Sequence, residues 1–296
     1  MTDLTKIVIP VAGLGTRVLP ASKVIPKEML TVVDKPVIQY VIEEAVAAGF
    51  KEIILVTRPG KESIITHFQS NPELEGILEG KGKLKMLDKV RDMLPADVNI
   101  AACYQLEPLG LGHAVMCAHE LIGEDDFAVC LPDVLIHHAD GDHAHDLKNI
   151  VRAFKQSGYA QIMVEEVAEH EVSSYGIVDC GDVEFTPGES HNVRRMVEKP
   201  AVEDAPSRQS IIGRYVLPAR TLELLHETKP GAGGEIQLTD AIDALIAETP
   251  VQANSMRGRT YDCGSQFGYV IANLKYGLDH AEFGPEIAAW IRRQNL

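Results

Sequence analysis

Short unbroken apolar runs alternate with amphipathic ones over the first hundred residues: KIVIPV, then PVIQYVIEEAVAAG, then KEIILVT, then a polar helical stretch at 63–68. An unbroken apolar run bounded by turn residues reads as a buried strand, and apolar positions at helical spacing read as a helix with one face inward. In the second run Val37, Ile38, Val41, Ile42, Ala45 and Val46 share one side of a helix that begins near Pro36 and is ended by Gly49. Strand–helix–strand order of this kind predicts a parallel sheet covered by helices.

The alternation continues through a strand (NIAACYQ), a helix (GHAVMCAHELI) and a strand (DFAVCLPD), which makes the sheet at least four strands wide. It stops at a His/Asp-rich stretch, residues 137–145, whose composition without fixed ligand spacing reads as a solvated loop. From Gln161 the pattern becomes short strands, QIMVEEV, YGIVDCG, VRRMVEKP and SIIGRYVLP, with helical stretches near 219–226 and 238–247. This half reads as a mixed sheet completing the same domain. Residues 71–95, rich in Gly, Lys and Glu, read as an exposed and partly helical excursion.

Composition narrows the function classes. The chain of 296 residues is 45% hydrophobic and 24% charged, an ordinary globular balance. Its formal net charge of -15 argues against broad nucleic-acid binding, which needs clustered Lys and Arg over a whole face. An anionic ligand must then meet a local basic site, and Arg17, Lys23 and Lys27 occur in a stretch without an acid until Glu28. The start, MTDLTKIVIPVAG, has no secretory pattern and no later run approaches the length of a membrane helix, so a cytoplasmic protein without membrane contact is expected. Cys103, Cys117, Cys130, Cys180 and Cys263 are scattered, with no C-x-x-C pair, and read as reduced packing residues.

Val11-Ala12-Gly13-Leu14-Gly15-Thr16-Arg17-Val18-Leu19-Pro20 follows the first strand. Glycines there let the backbone turn tightly and leave amide groups free to hold phosphate oxygens. A dinucleotide fingerprint fits Gly13 and Gly15, but Val18 stands where the third glycine belongs, and Pro20 and Pro26 interrupt the helix that should hold the pyrophosphate. A P-loop cannot be written over these residues. The remaining reading joins the glycine loop to Pro26-Lys27-Glu28 and treats Arg17 and Lys27 as phosphate clamps.

That pattern, G-x-G-T-R-x-x-P followed by P-K-E, resembles the signature of the sugar nucleotidylyltransferases. The resemblance covers nearly the whole chain and is closest to the bacterial UTP–glucose-1-phosphate uridylyltransferases, through ASKVIPKEMLTVVDKPVIQYVIEEA and EPLGLGHAV. It implies an α/β fold with a Rossmann-like, mixed and mostly parallel sheet flanked by helices. It further implies one domain over 1–296, with a nucleotide-binding half at about 1–135, a sugar-phosphate half at about 136–270 and a C-terminal helical segment at about 266–296. The implied reaction joins UTP and glucose 1-phosphate into UDP-glucose and pyrophosphate with Mg²⁺ as cofactor, in a homodimer or homotetramer.

Residue by residue, the resemblance assigns Ala12, Gly13, Leu14, Gly15 and Thr16 to the nucleotide phosphates, with Arg17, Lys27 and Lys199 as catalytic cations. Gln105, Pro108, Gly110 and Gly112 look like a pyrimidine pocket whose glycines leave room for the ring. Asp133, after FAVCLP, and Asp262, in TYDCGS, match the two metal-binding aspartates. Tyr175, Gly176, Glu198, Gly213 and Glu235 match the hexose site, with Gly213 as a second close-approach glycine. Thr239 and Asp240 read as helix-end polar residues without chemistry. A thymidylyl- or adenylyltransferase is the nearest rival, because cradle and carboxylates are blind to the base; a non-catalytic nucleotide-sugar-binding regulator and a dehydrogenase are the others.

Overall fold

The computed structural model describes residues 4–294, so the last two residues of the expected C-terminal segment and the first three of the chain lie outside the described residues. The first 130 residues supply β1 (Lys6–Pro10), a small hairpin of β2 (Thr31–Val32) and β3 (Lys35–Pro36), α1 (Val37–Ala47), β4 (Glu52–Thr57) and α2 (Glu62–Thr66). The excursion α3 (Pro72–Gly80) and α4 (Leu84–Arg91) follows, then β5 (Asn99–Tyr104), α5 (Leu111–Cys117), α6 (His119–Ile122) and β6 (Phe127–Cys130). The second part contributes β7 (Val134–His137), α7 (His145–Ser157), β8 (Ala160–Glu166), β9 (Gly176–Asp179), β10 (Ser190–Asn192), β11 (Arg195–Glu198) and β12 (Gln209–Leu217). It ends with α8 (Arg220–Glu227), α9 (Leu238–Ile246), β13 (Val251–Ser255), β14 (Arg259–Asp262), α10 (Gln266–Asp279) and α11 (Gly284–Arg293).

One sheet of ten strands runs through both parts in the order β10-β13-β8-β12-β6-β1-β4-β5, with β9 on β12 and β11 on β9. β1 pairs in parallel with β4 and β6, and β4 with β5. β12 is antiparallel to both β6 and β8, and β13 is parallel to β8, so β5, β4, β1, β6, β8 and β13 all point one way. The sheet is mixed and mostly parallel, as the alternation predicts.

Side chains of successive strand residues go to opposite faces, and the core divides accordingly. Ile7, Ile9, Ile53 and Leu55 meet α1 and α7 on one face, while Val8, Ile54 and Val129 meet α5, α8 and α9 on the other. A strand covered on both faces has no polar alternation, which is why KIVIP and EIILVT read as unbroken apolar runs.

Three local features depart from the pattern-based reading. GHAVMCAHELI is two short helices rather than one, broken at Ala118. The stretch 137–145 is bounded by regular structure, since His137 ends β7 and His145 opens α7. Within it, buried His138 lies 3.4 Å from Asp146, whose carboxylate accepts the Arg257 and Gly258 amides at 2.9–3.1 Å, tying the loop to the entry of β14. Among the described residues β7 pairs only with β14, more than a hundred residues on, and no local signal announces such a strand.

Candidate active site

The parallel strands β1, β4, β5 and β6 end on the same edge of the sheet, where open α/β sheets bind ligands. After β1 the chain leaves the sheet through Gly13 and Gly15 into three 3-10 turns, Thr16–Val18, Ala21–Lys23 and Lys27–Met29. Among the described residues, the amides of Gly13, Leu14, Gly15 and Thr16 donate to no protein acceptor. They are left free to donate to a ligand, as a phosphate cradle requires. Gly15 has φ +68°, and a Cβ there would stand 3.2 Å from the Cβ atoms of both Ser22 and Lys27. Its lack of a side chain lets the loop fold onto the turn that carries Lys27, and Ser22 Oγ donates to Gly15 O at 2.7 Å.

Asp133 lies just beyond β6 and is brought beside Asp262 by the antiparallel β7–β14 ribbon, in which Asp262 is opposite Val134. The Cys263 amide donates to Asp133 O at 2.8 Å, closing the same junction. Lys27 Nζ hydrogen-bonds Asp133 Oδ2; Arg17 donates to Asp262 Oδ2 at 3.2 Å and reaches to 3.8 Å from Asp133 Oδ2. A Cβ on Gly264 would fall 2.5 Å from Asp133 Oδ2 and 2.9 Å from Asp262 Oδ1, so the two carboxylates face one another across that glycine. Four of the expected residues, 245 positions apart at the extremes, therefore form one cluster.

The donor set fits a hard divalent cation. Among the described residues no group of three or more His, Cys, Asp or Glu side chains could hold a metal alone. Mg²⁺ needs no such cage, because it is commonly bound by one or two carboxylates and completes its octahedron with waters and substrate phosphates. Asp133 and Asp262 are the pair that would hold it.

A cavity of about 700 Å³ opens beside this cluster and is lined by Arg17, Asp133, Tyr175, Glu198, Lys199 and Asp262, among others. Gly176 is opposite Glu198 in the β9–β11 ladder. Glu198 is gripped at both oxygens, by Thr239 Oγ1 at 2.9 Å and Lys199 Nζ at 3.2 Å. Lys199 has φ +44°, an unusual conformation for a non-glycine residue. Burial, with Asp262 adding to it, raises the Tyr175 phenol above its ordinary pKa, so the hydroxyl stays protonated and able to donate. Glu235 lines the same wall.

Several expected residues sit differently. A Cβ on Gly110 would meet Glu235 Cβ and Ile236 O at 2.8 Å, and one on Gly112 would meet Ile236 O at 2.7 Å. The missing side chains of those glycines admit the 235–236 backbone, which is hydrogen-bonded to Leu109 and Gly112 at 2.8 Å. A Cβ on Gly213 would run into the Leu131 side chain, so the lack of a side chain here lets β12 pack against the end of β6. Gln105 and Pro108 are not on the cavity wall. Gln105 Nε2 donates to Gly110 O at 3.0 Å and lies 3.1 Å from His113 Nδ1, which fixes its amide at the end of β5.

Sequence reasoning missed residues that the structure places in or behind the site. Thr239, set aside as a helix-end residue, lines the cavity and donates to Glu198. Arg214 is fully buried; it forms a bidentate pair with Glu44 at 2.7 and 3.0 Å and donates to the Leu131 and Val134 carbonyls that flank Asp133. Glu44 was legible, because it falls on the apolar side of α1, three positions from Val41; so was Arg214, a charge inside SIIGRYVL.

The sequence pattern of the nucleotidyl transferase family matches residues 6–277. The UTP–glucose-1-phosphate uridylyltransferase of Escherichia coli K12 is 50% identical over 294 residues, 99% of this chain and 97% of that protein. The protein of the same description from Haemophilus influenzae is 50% identical over 288 residues, 97% of this chain and 98% of its own length. The fold superposes on UTP-bound UGPase from Acinetobacter baumannii with a TM-score of 0.91 at 50% identity, covering 97% and 98% of the two chains. It superposes on a UDP-glucose pyrophosphorylase complexed with UDP-glucose at 0.81 and 37% identity, covering 94% and 100%. With the carboxylate pair, the cradle and the Glu198–Lys199 wall in place, the chain belongs to the nucleotidyl transferase family, on the branch of the UTP–glucose-1-phosphate uridylyltransferases.

Proposed function

We propose that this protein transfers the uridylyl group of UTP to α-D-glucose 1-phosphate, forming UDP-glucose and releasing pyrophosphate. The observation that carries this reading is the convergence of Arg17 and Lys27 on Asp133 and Asp262 beside the cavity that holds Glu198 and Lys199. The relatives add to it: similar proteins are solved with UTP and with UDP-glucose.

The sugar phosphate attacks the α-phosphorus in line, and its oxygen is already ionised, so neither a protein nucleophile nor a general base is required. The protein supplies position and positive charge to two anions that repel one another. The backbone of residues 12–16 and Arg17 bind the departing pyrophosphate, Lys27 binds the reacting phosphates, and Lys199 orients the incoming one. Tyr175, Gly176, Glu198 and Glu235 hold the hexose. Gln105 and Pro108 are the assigned neighbours of the base. Mg²⁺ held by Asp133 and Asp262 would neutralise charge shared by the two substrates' phosphates.

The described residues contain no helix long and apolar enough to cross a membrane. The five cysteines are free thiols, which suits a reducing cytoplasm. The reading includes an assembly of two or four copies: Phe267, Val270 and Leu274 leave an apolar stripe on α10 exposed, which self-association would cover, and sedimentation velocity decides it.

The test is pyrophosphate release with glucose 1-phosphate and Mg²⁺, comparing UTP, dTTP, ATP, CTP and GTP. Preference for UTP is expected. Preference for dTTP or ATP overturns the nucleotide assignment, and no release with any nucleotide favours the non-catalytic binder.

A further inference from the structure

Behind the glycine loop lies a buried ion pair that none of these roles uses. Lys61 Nζ stands 2.8 Å from Glu28 Oε2 and donates to Val11 O at 2.6 Å. Lys61 is 7% exposed and Glu28 is 0% exposed. The other Glu28 oxygen is buried without a hydrogen-bond partner among the described residues. Burial pushes the Glu28 carboxyl up and the Lys61 ammonium down, each opposed by its partner. Two charges held at that cost are a poor device for stability, since apolar side chains of similar volume in place of a buried pair are often neutral or stabilising.

What the pair achieves is geometric. Val11 opens the glycine loop; Glu28 follows Lys27 in the Lys27–Met29 turn; Lys61 immediately precedes α2, on the next crossover of the fold. One ammonium thus ties the cradle and the Lys27 turn to a common anchor, and the close contact of Gly15 with Lys27 is the second link between them.

We propose that Lys61 and Glu28 are positioning residues of the transfer site, fixing the glycine-loop amides and the Lys27 ammonium relative to one another so that both meet the same polyphosphate. The inference rests on the role given to Lys27 above, so the test carries one arm that does not need turnover. Melting temperature, steady-state kinetics with UTP and glucose 1-phosphate, and amide hydrogen exchange over residues 11–17 and 27–30 are measured for Lys61→Met, Glu28→Gln and the double change Lys61→Met with Glu28→Leu.

The double variant is expected to melt at or above the wild-type temperature yet to lose tenfold or more in kcat. Its loop amides are expected to exchange at least tenfold faster while β1 and β4 stay protected. In a Lys27→Ala background, Glu28→Gln is expected to cost less than twofold further, because it acts through that lysine. Recovery of kcat together with stability, or losses that multiply with Lys27→Ala, would overturn the proposal. If the wild type releases no pyrophosphate, the functional reading fails by itself, and the exchange arm still decides: unchanged loop exchange in a folded variant removes the anchor. Glu28→Gln keeps shape and hydrogen bond, so it reports even if the lysine variants do not fold.

Discussion

Gly264→Ala is a one-methyl probe of the carboxylate cluster. The added Cβ would stand 2.5 Å from Asp133 Oδ2, 2.6 Å from Arg17 Nη2 and 2.9 Å from Asp262 Oδ1. Side-chain carbons do not tolerate such distances, so all three groups must retreat by several tenths of an ångström to about 1 Å. Arg17 can swing into solvent, its side chain being 63% exposed. The carboxylates have less freedom, because Asp262 Oδ1 accepts the Gly264 amide at 2.8 Å and the Asp133 backbone is bonded to Cys263. Overpacking of this kind costs about 1–3 kcal/mol of stability. A misplacement of about 1 Å among reacting groups costs on the order of a hundredfold in rate. The variant should therefore remain folded while kcat falls roughly a hundredfold and half-saturation by Mg²⁺ moves to higher concentration. Pyrophosphate release over a Mg²⁺ titration, with a melting curve beside it, measures both. Wild-type kcat with an unchanged Mg²⁺ requirement would show that the two aspartates do not act together. Gly76→Ala is the control: it lies inside α3, its Cβ would meet nothing within 4 Å, and about 0.5–1 kcal/mol of added stability with no kinetic change is expected.

Lys27→Ala and Lys199→Ala should each lower kcat about a hundred- to a thousandfold, or ~3–4 kcal/mol of transition-state stabilisation, with little change in melting; near-normal turnover would refute the role of that lysine. Arg214→Met leaves Glu44 buried and unpaired, so denaturant unfolding should show a loss of about 3–5 kcal/mol, whereas changing both residues to apolar ones should recover most of it. Burial raises the Glu165 carboxyl above its ordinary range, against the hydrogen bond from Thr260. The folded state therefore favours the protonated form: this contribution is fully present below the unfolded pKa and is lost as pH rises through the raised folded value. Glu165→Gln should flatten the fall of stability with pH above the usual carboxylate range, and an unchanged slope in thermal melts from pH 4 to about 8 would refute it.

The parallel part of the fold was legible because its strands are covered on both faces, and so was the amphipathic face of α1. The ribbon of β7 and β14 was not, since four-residue strands paired across more than a hundred positions leave no periodicity to read. The site shows the same division. Gly15 could be argued from its own neighbourhood, whereas the meeting of Asp133 and Asp262 came only through the resemblance. Gly213 was read as a close-approach glycine and Gly110 and Gly112 as room for a ring, and a Cβ at each would meet another part of the chain. A sequence cannot say whether the neighbour is ligand or protein, and here it is Ile236 and Leu131. Buried charge is hidden for a related reason: Glu28 and Lys61 look like any polar residues of a turn and a helix start until both are seen below solvent reach.

Strand β12 has a consequence for how the chain is made. It pairs with β6 on one side and β8 on the other, yet it is synthesised some eighty residues after β6. A nascent chain that has completed β1, β4, β5 and β6 therefore carries an open, wholly apolar strand edge, FAVC, for the time the ribosome takes to add those residues. Arg214, on β12, also brings the countercharge for Glu44, so the α1 side of the early sheet waits on the same arrival. A gene cut near residue 135 should yield a first fragment that aggregates alone and a second that cannot complete its sheet. Co-expression of the two would be needed to recover soluble protein, with β12 as the strand that joins the halves.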